Sequence, residues 1–227
     1  MLTYFGGCER PNAIVTLAKA GGRRVMISYA EPPTENCWRL YKKHGIEIMA
    51  DSGAYSAWTR GAAIDIDKYM EWLQENKIGK YFNLDVIGDT EATKANQQYM
   101  EMHGYNPIPV FHFGEPLNYL DELVKNYDYI GLGGTVGKPR NTKVNWFSCI
   151  FSRYPMVKFH ALGVANPFLL RQFPFYSTDS IWWLWKWRDK NKRYSGIGNC
   201  RKVEQAARIR VLLDIEGETK SYQPALF

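Results

Sequence analysis

Residues 46–53 read IEIMADSG: an apolar run, Ile48-Met49-Ala50, stops at Asp51, and Ser52 and Gly53 follow as a small-residue turn. A buried strand that ends on a carboxylate delivers that carboxylate to whatever binds at the strand's end. The plainer alternative is that Asp51 only forms a turn or caps the next helix.

The same grammar recurs along the chain. MLTYFGG (1–7), RRVMISYA (23–30), KYFNLDVIG (80–88), IPVFHFGE (108–115), YDYIGLGG (127–134), VKFHALGV (157–164) and PFYSTDS (174–180) are the other short apolar segments. Between them lie stretches with helical punctuation. PNAIVTLAKAG carries Pro11 near its start and Gly21 at its end, and DIDKYMEWLQENK spaces Ile66, Tyr69, Met70 and Leu73 behind an Asp65 cap. Asp89 opens another such stretch, and a last helix is expected at about 200 to 214. Strands that alternate with helices imply parallel pairing, because parallel neighbours need crossover connections. Eight units in 227 residues allow about 28 residues each, close to the roughly 30 that a βαβ unit needs. The expectation is an α/β fold, a single (β/α)8 TIM-like barrel over residues 1–227; an open doubly wound sheet is the alternative.

Composition narrows the setting. Hydrophobic residues make up 45% of the chain, enough for a sizeable core. No apolar run reaches the ~18 residues of a membrane span. The opening MLTYFGGCERPN shows no secretion signal. Cys8, Cys37, Cys149 and Cys200 are dispersed, with no CxxC pair, so neither a locally built zinc site nor any other metal is expected. Free thiols and a cytoplasmic setting follow as expectations. Net charge is +6, compatible with a polyanionic partner. In WWLWKWRDKNKR (182–193), tryptophans precede and interleave with Lys186, Arg188, Lys190, Lys192 and Arg193. Indole faces stack on bases and cations neutralise phosphates; the alternative is a tryptophan-rich core segment running into a solvated basic loop.

In a barrel the C-terminal strand ends share one face, which hosts the active site. Asp51-Ser52-Gly53, Asp85, His112, Gly133-Gly134, Leu162-Gly163 and Asp179-Ser180 would meet there. Each has a duller reading, since Asp179-Ser180 resembles a capping pair and a lone histidine is often structural. Their shared strand-end position is what points to function.

These segments carry a resemblance. ADSGAYS (50–56) resembles the TDSGGFQ turn of tRNA-guanine transglycosylases. FNLDVIGD (82–89), YIGLGGTVG (129–137), FHALGVANPFLL (159–170) and FPFYSTDS (173–180) are similar to later segments of that family, in family order, over roughly residues 45 to 182. The family's zinc-binding cysteine insertion is absent and the chain is shorter, which is similar to the compact phage branch that exchanges guanine in DNA for a 7-deazaguanine base. The resemblance implies DNA and a free 7-deazaguanine such as preQ0 as partners, with tRNA as the alternative, a host cytoplasm if phage-encoded, and no cofactor. It implies Asp179 as nucleophile and Asp51 as general acid and base, with Ser52 beside it. Asp85 would read the donor edge of a guanine-like base. His112 and the amides of Gly133 and Gly134 would meet its carbonyl edge, Leu162 and Gly163 would wall the pocket, and Tyr55 or Phe113 would stack on the base. Lys186, Arg188, Lys190, Lys192 and Arg193 would hold phosphates. Rival readings are a hydrolase of a small glycoside or nucleoside, and a nucleic-acid-binding protein without activity.

Overall fold

The computed structural model describes residues 1–184 and 198–220. Seven strands form one sheet: β1 (Leu2–Phe5), β2 (Arg24–Ser28), β3 (Glu47–Asp51), β4 (Val110–His112), β5 (Tyr129–Gly133), β6 (Lys158–Ala161) and β7 (Ser177–Ser180). Their order is β3-β2-β1-β7-β6-β5-β4, and every pair is parallel. The helices among the described residues are α1 (Pro11–Lys19), α2 (Glu35–His44), α3 (Ala54–Thr59), α4 (Ile66–Glu75), α5 (Thr90–Met102), α6 (Leu117–Asn126), α7 (Arg140–Arg153), α8 (Pro167–Gln172) and α9 (Gly198–Lys220).

Local chemistry sets the helix ends. The Asp65 carboxylate accepts from the amides of Asp67 and Lys68, and Asp89 accepts from Ala92, so both acids are N-caps as expected. Pro11 sits in the first turn of α1, where its missing N–H costs nothing. Gly45 ends α2 in the left-handed conformation, behind Lys42, Lys43 and His44, whose charges suit the negative helix end.

Among the described residues, seven of the eight expected strands form. KYFNLDVIG supplies only two bridging residues, Tyr81 opposite Ala50 and Phe82 opposite Ile108. These still join the two edges of the curled sheet: Ala50 N–H donates to Lys80 O, Phe82 N–H to Ala50 O, and Asn83 N–H to Ile108 O. Beyond Asn83, side chains of α5 replace the ladder. Asn96 donates to Leu84 O at 2.8 Å, and the Val86 N–H donates to Thr93 Oγ1 at 2.9 Å.

Two apolar groups hold the layers together. Inside the curl lie Tyr4, Met26, Met49, Phe82 and Val110. Between sheet and helices lies a larger core that includes Phe5, Ile27, Phe111, Leu132, Phe159 and Trp183. Trp183 is fully buried, edge-on to Phe5, with its indole N–H on Gly6 O. The start of the tryptophan-rich segment is therefore packing, whereas Lys186, Arg188, Lys190, Lys192 and Arg193 lie outside the described residues. No helix among the described residues is long and apolar enough to cross a membrane.

At the N-terminal end of the strands, α9 is fastened by charge. Glu216 is buried; it accepts from the Thr3 amide and forms a two-pronged pair with Arg24 at 2.9–3.3 Å. Arg24 also faces Glu47, which in turn takes Lys80 and the Tyr4 hydroxyl. Removing one partner of such a buried pair strands the other charge. Glu216→Ala is expected to cost about 3 kcal/mol of unfolding free energy in urea melts, and Glu216→Gln, which keeps an acceptor for Thr3, to cost less. A Glu216→Ala loss below about 1 kcal/mol would show that α9 does not depend on this pair.

Candidate active site

The strand ends do converge. In β2 and β3, Ser28 stands opposite Asp51; in β1 and β7, Tyr4 stands opposite Asp179; in β4 and β5, His112 stands opposite Gly133. The Asp51 carboxyl is near enough to both Asp85 and Asp179 to feel their charge. Burial first, and then those two like charges, push its pKa up from the ordinary 3.8 to about 7, against the opposing hydrogen bond from the Gly53 amide. Near neutral pH this carboxyl is thus poised to give or take a proton.

On one side of Asp51, Asp85 is held by two side chains. Ser52, fully buried, donates its hydroxyl to Asp85 Oδ1 at 3.3 Å, and His112 Nε2 meets Oδ2 at 2.9 Å. The other ring nitrogen of His112 faces Glu115 at 3.4 Å, and Thr90 donates to the same Glu115 oxygen. Burial works against a charged imidazole here, but the hydrogen bonds and charges of Asp85 and Glu115 outweigh it and lift the His112 pKa to about 9. His112 is therefore an imidazolium at neutral pH with both N–H groups occupied by carboxylates. It lies at the mouth, and in this arrangement its ring nitrogens hold Asp85 and Glu115 and leave no free donor for a base's carbonyl edge.

On the other side, Asp179 Oδ1 accepts from the Gly163 amide at 2.8 Å and from His160 Nε2 at 3.2 Å. Among the described residues nothing donates to Oδ2. Behind it a buried chain runs outward: His160 Nδ1 meets Ser177 Oγ at 2.6 Å, and Ser177 Oγ meets the Tyr129 hydroxyl at 2.6 Å. All these partners are satisfied if Tyr129 donates to Ser177, Ser177 donates to Nδ1, and Nε2–H donates to Asp179.

The remaining expected residues occupy definite places. A Cβ on Gly133 would stand 2.9 Å from the His112 ring, so this glycine makes room for the histidine. Gly134 is exposed at φ +73 beside Phe113. Leu162 packs partly buried against the apolar group inside the curl. Gly163 is the amide donor to Asp179 described above. Phe113 packs edge-on to Trp146 with Lys138 over its face, whereas Tyr55 is half-exposed beside Trp58.

Sequence reasoning missed His160, Ser177, Tyr129 and Glu115. A signal existed for the first two: strand alternation puts His160 on the face of Leu162, and Ser177 on the face of Asp179. Two surface concavities, one lined by Tyr81, His103 and Tyr105 and the other by Tyr127, Asp128 and Met156, lie at the opposite end. Neither gathers a pair of carboxylates, so the mouth is the better candidate.

No family model matches the sequence, and no curated protein matches it. Solved structures do. The chain is similar to a KDPGal structure, with 12% identity over 97% of this chain and 96% of that one and a TM-score of 0.59. It is similar to the tryptophan synthase alpha-subunit of Pyrococcus furiosus, with 10% identity over 94% and 97% and a TM-score of 0.55. It is also similar to phosphoribosyl anthranilate isomerase of Thermus thermophilus, with 12% identity over 96% and 99% and a TM-score of 0.53. At these identities the likeness shows the fold alone, an α/β TIM-like barrel.

The resemblance to tRNA-guanine transglycosylases is therefore corrected: no family model carries it, and the similar structures are aldolase-, synthase- and isomerase-type barrels. The structure supplies a physical reason why the motifs looked familiar. Gly53 has φ +78, and a Cβ there would lie 2.4 Å from Ala30 and 2.6 Å from Ser28. The Asp-Ser-Gly turn is what this strand end needs to pass its neighbour, whatever the family.

The two shifted groups give stability a defined pH slope. Asp51 binds its proton more tightly folded than unfolded between about pH 4 and 7, and His112 does so between 6.5 and about 9. In both windows the native state holds more protons, so stability falls as pH rises. Melting temperature is expected to decline from pH 5 to pH 9. His112→Gln should flatten the upper part of the curve, a window worth on the order of 3 kcal/mol in the wild type, and Asp51→Asn the lower part. A melting temperature that rises over this range would contradict the assignment.

Proposed function

We propose that the chain is a barrel enzyme that breaks a glycosidic bond through a covalent adduct on Asp179. The observation that carries this is the pairing of two unlike carboxyls. Asp179 is fixed through one oxygen by two N–H donors, and beside it Asp51 holds a proton near neutral pH. A positioned nucleophilic carboxylate with a neighbouring acid is the equipment of retaining glycosyl transfer. Asp179 Oδ2 would attack the anomeric carbon and form the C–O bond. The bond to the leaving group breaks with its electron pair, and Asp51 supplies the proton. A second acceptor then gives its proton to Asp51 and displaces Asp179.

In its finer form the donor is a guanosine unit of DNA and the acceptor a 7-deazaguanine base. A carboxylate such as Asp85 suits a base edge that offers two donors, and each of its oxygens keeps a lone pair beyond Ser52 and His112. With water as acceptor the same groups would hydrolyse a nucleoside. Schiff-base chemistry is less well served: among the strands, Lys158 opens β6 at the opposite end, and the strand ends at the mouth are Phe5, Ser28, Asp51, His112, Gly133, Ala161 and Ser180.

The test is incubation with DNA and labelled guanine or 7-deazaguanine, with the adduct trapped by denaturation and the nucleosides analysed by mass. Asp179→Ala is expected to abolish adduct and product. Asp51→Asn is expected to slow turnover about 100- to 10,000-fold and to remove an inflection near pH 7. Turnover by Asp179→Ala at the wild-type rate would sink the mechanism. Free sugar appearing without incorporated base would favour the hydrolase.

A further inference from the structure

Exposed large apolar side chains are unevenly placed among the described residues. Of nine such residues there, Tyr55, Trp58, Val136, Phe168 and Ile181 all follow strand ends and so border the mouth. Exposed apolar side chains gathered around a polar opening mark an interaction surface in a way that singly scattered ones do not. Tyr55 and Trp58 lie on one side, on α3, with ring centroids 6.1 Å apart. Phe168 lies on the other side, at the start of α8, with the Arg140 guanidinium 5.0 Å from its ring.

Cations gather on the Phe168 side. Lys138, Arg140 and Lys143 fall within six residues, at the junction of the β5 loop and α7, and that loop holds no acid from Gly134 to Lys143. Among the described residues none of the three forms an ion pair. Arg60, by contrast, lies near Tyr55 and Trp58 but is paired with Glu31. Lys143 is partly buried, and burial alone lowers its pKa, a cost that an arriving anion would offset. The loop is also close to the chemistry. Val136 Cγ2 lies 3.3 Å from where a Cβ of Gly163 would be, and the Gly163 amide holds Asp179.

From this we infer that the rim of the mouth binds a single polynucleotide strand, its phosphates on Lys138, Arg140 and Lys143 and its bases against Tyr55, Trp58 and Phe168. Unpaired cations next to exposed rings match a chain of phosphates and π-faces, whereas a small nucleotide would leave the far rings uncovered. The inference deepens the reading above and rests on it for placing the strand across Asp179.

Fluorescence anisotropy with a labelled single-stranded deoxyoligonucleotide across a salt series tests it on the full chain. Replacing Lys138, Arg140 and Lys143 together by alanine is expected to flatten the slope of log affinity against log salt by about 2. Tyr55→Ala/Trp58→Ala is expected to weaken binding about tenfold or more with the slope unchanged. Unchanged thermal melts would show that the variants are folded. An unaltered salt slope in the triple variant, or a mononucleotide that binds as tightly as the oligonucleotide, overturns the inference. Adduct trapping separates the two claims. Strand binding that follows these expectations without any adduct would fail only the chemistry. An adduct with an unaltered salt slope would fail only the rim.

Discussion

Three carboxylates share one poorly solvated opening, and much of the surrounding structure serves to bear their repulsion. Like charges a few ångströms apart in a medium of low effective dielectric cannot all stay ionised without compensation. The compensation here differs at each position. Asp85 receives a cation, His112, whose charge is secured by a second carboxylate, Glu115. Asp179 receives neutral N–H donors from Gly163 and His160. Asp51 receives one backbone amide and, among the described residues, no cation, so it takes up the strain by holding a proton. Three chemically identical side chains are thereby held in three different electrostatic settings.

This division explains why the site needs helpers beyond the carboxylates. His160 acts from below, fully buried, and is itself fixed by Ser177 and Tyr129. A carboxylate oriented through one oxygen keeps the other available in a fixed direction. Gly133 contributes by having no side chain, because a Cβ would intrude on His112. Such contributions act through shape and hydrogen bonding and add nothing to the charge.

Much of this was legible in the sequence, and the limits are physical. Strand ends are visible because an apolar run that halts at Asp51, His112 or Asp179 contrasts with its surroundings. Helix starts are visible at Asp65 and Asp89 because a cap acts within three residues. The chain of Asp179, His160, Ser177 and Tyr129 spans three strands, and no local window holds it. The motif resemblance failed for a related reason. A strand that ends in a carboxylate, a small residue and a glycine with positive φ solves a local steric problem against Ser28 and Ala30, so its letters report geometry more than ancestry.

The missing eighth strand and the site turn out to be linked. Phe82 packs inside the curl, so strict alternation would send Leu84 inside as well and Asp85 outward. Leu84 instead joins the outer core, and Asp85 reaches Ser52 and His112 at the mouth. Between them the ladder stops, and α5 takes over the backbone through Asn96 and Thr93. The departure from regular strand is thus what turns Asp85 through half a period into the opening. The spacing was present in FNLD all along: Phe82 and Asp85 are three residues apart, and a regular strand cannot show both on one face. The irregularity that shortens the sheet is the same one that completes the carboxylate cluster.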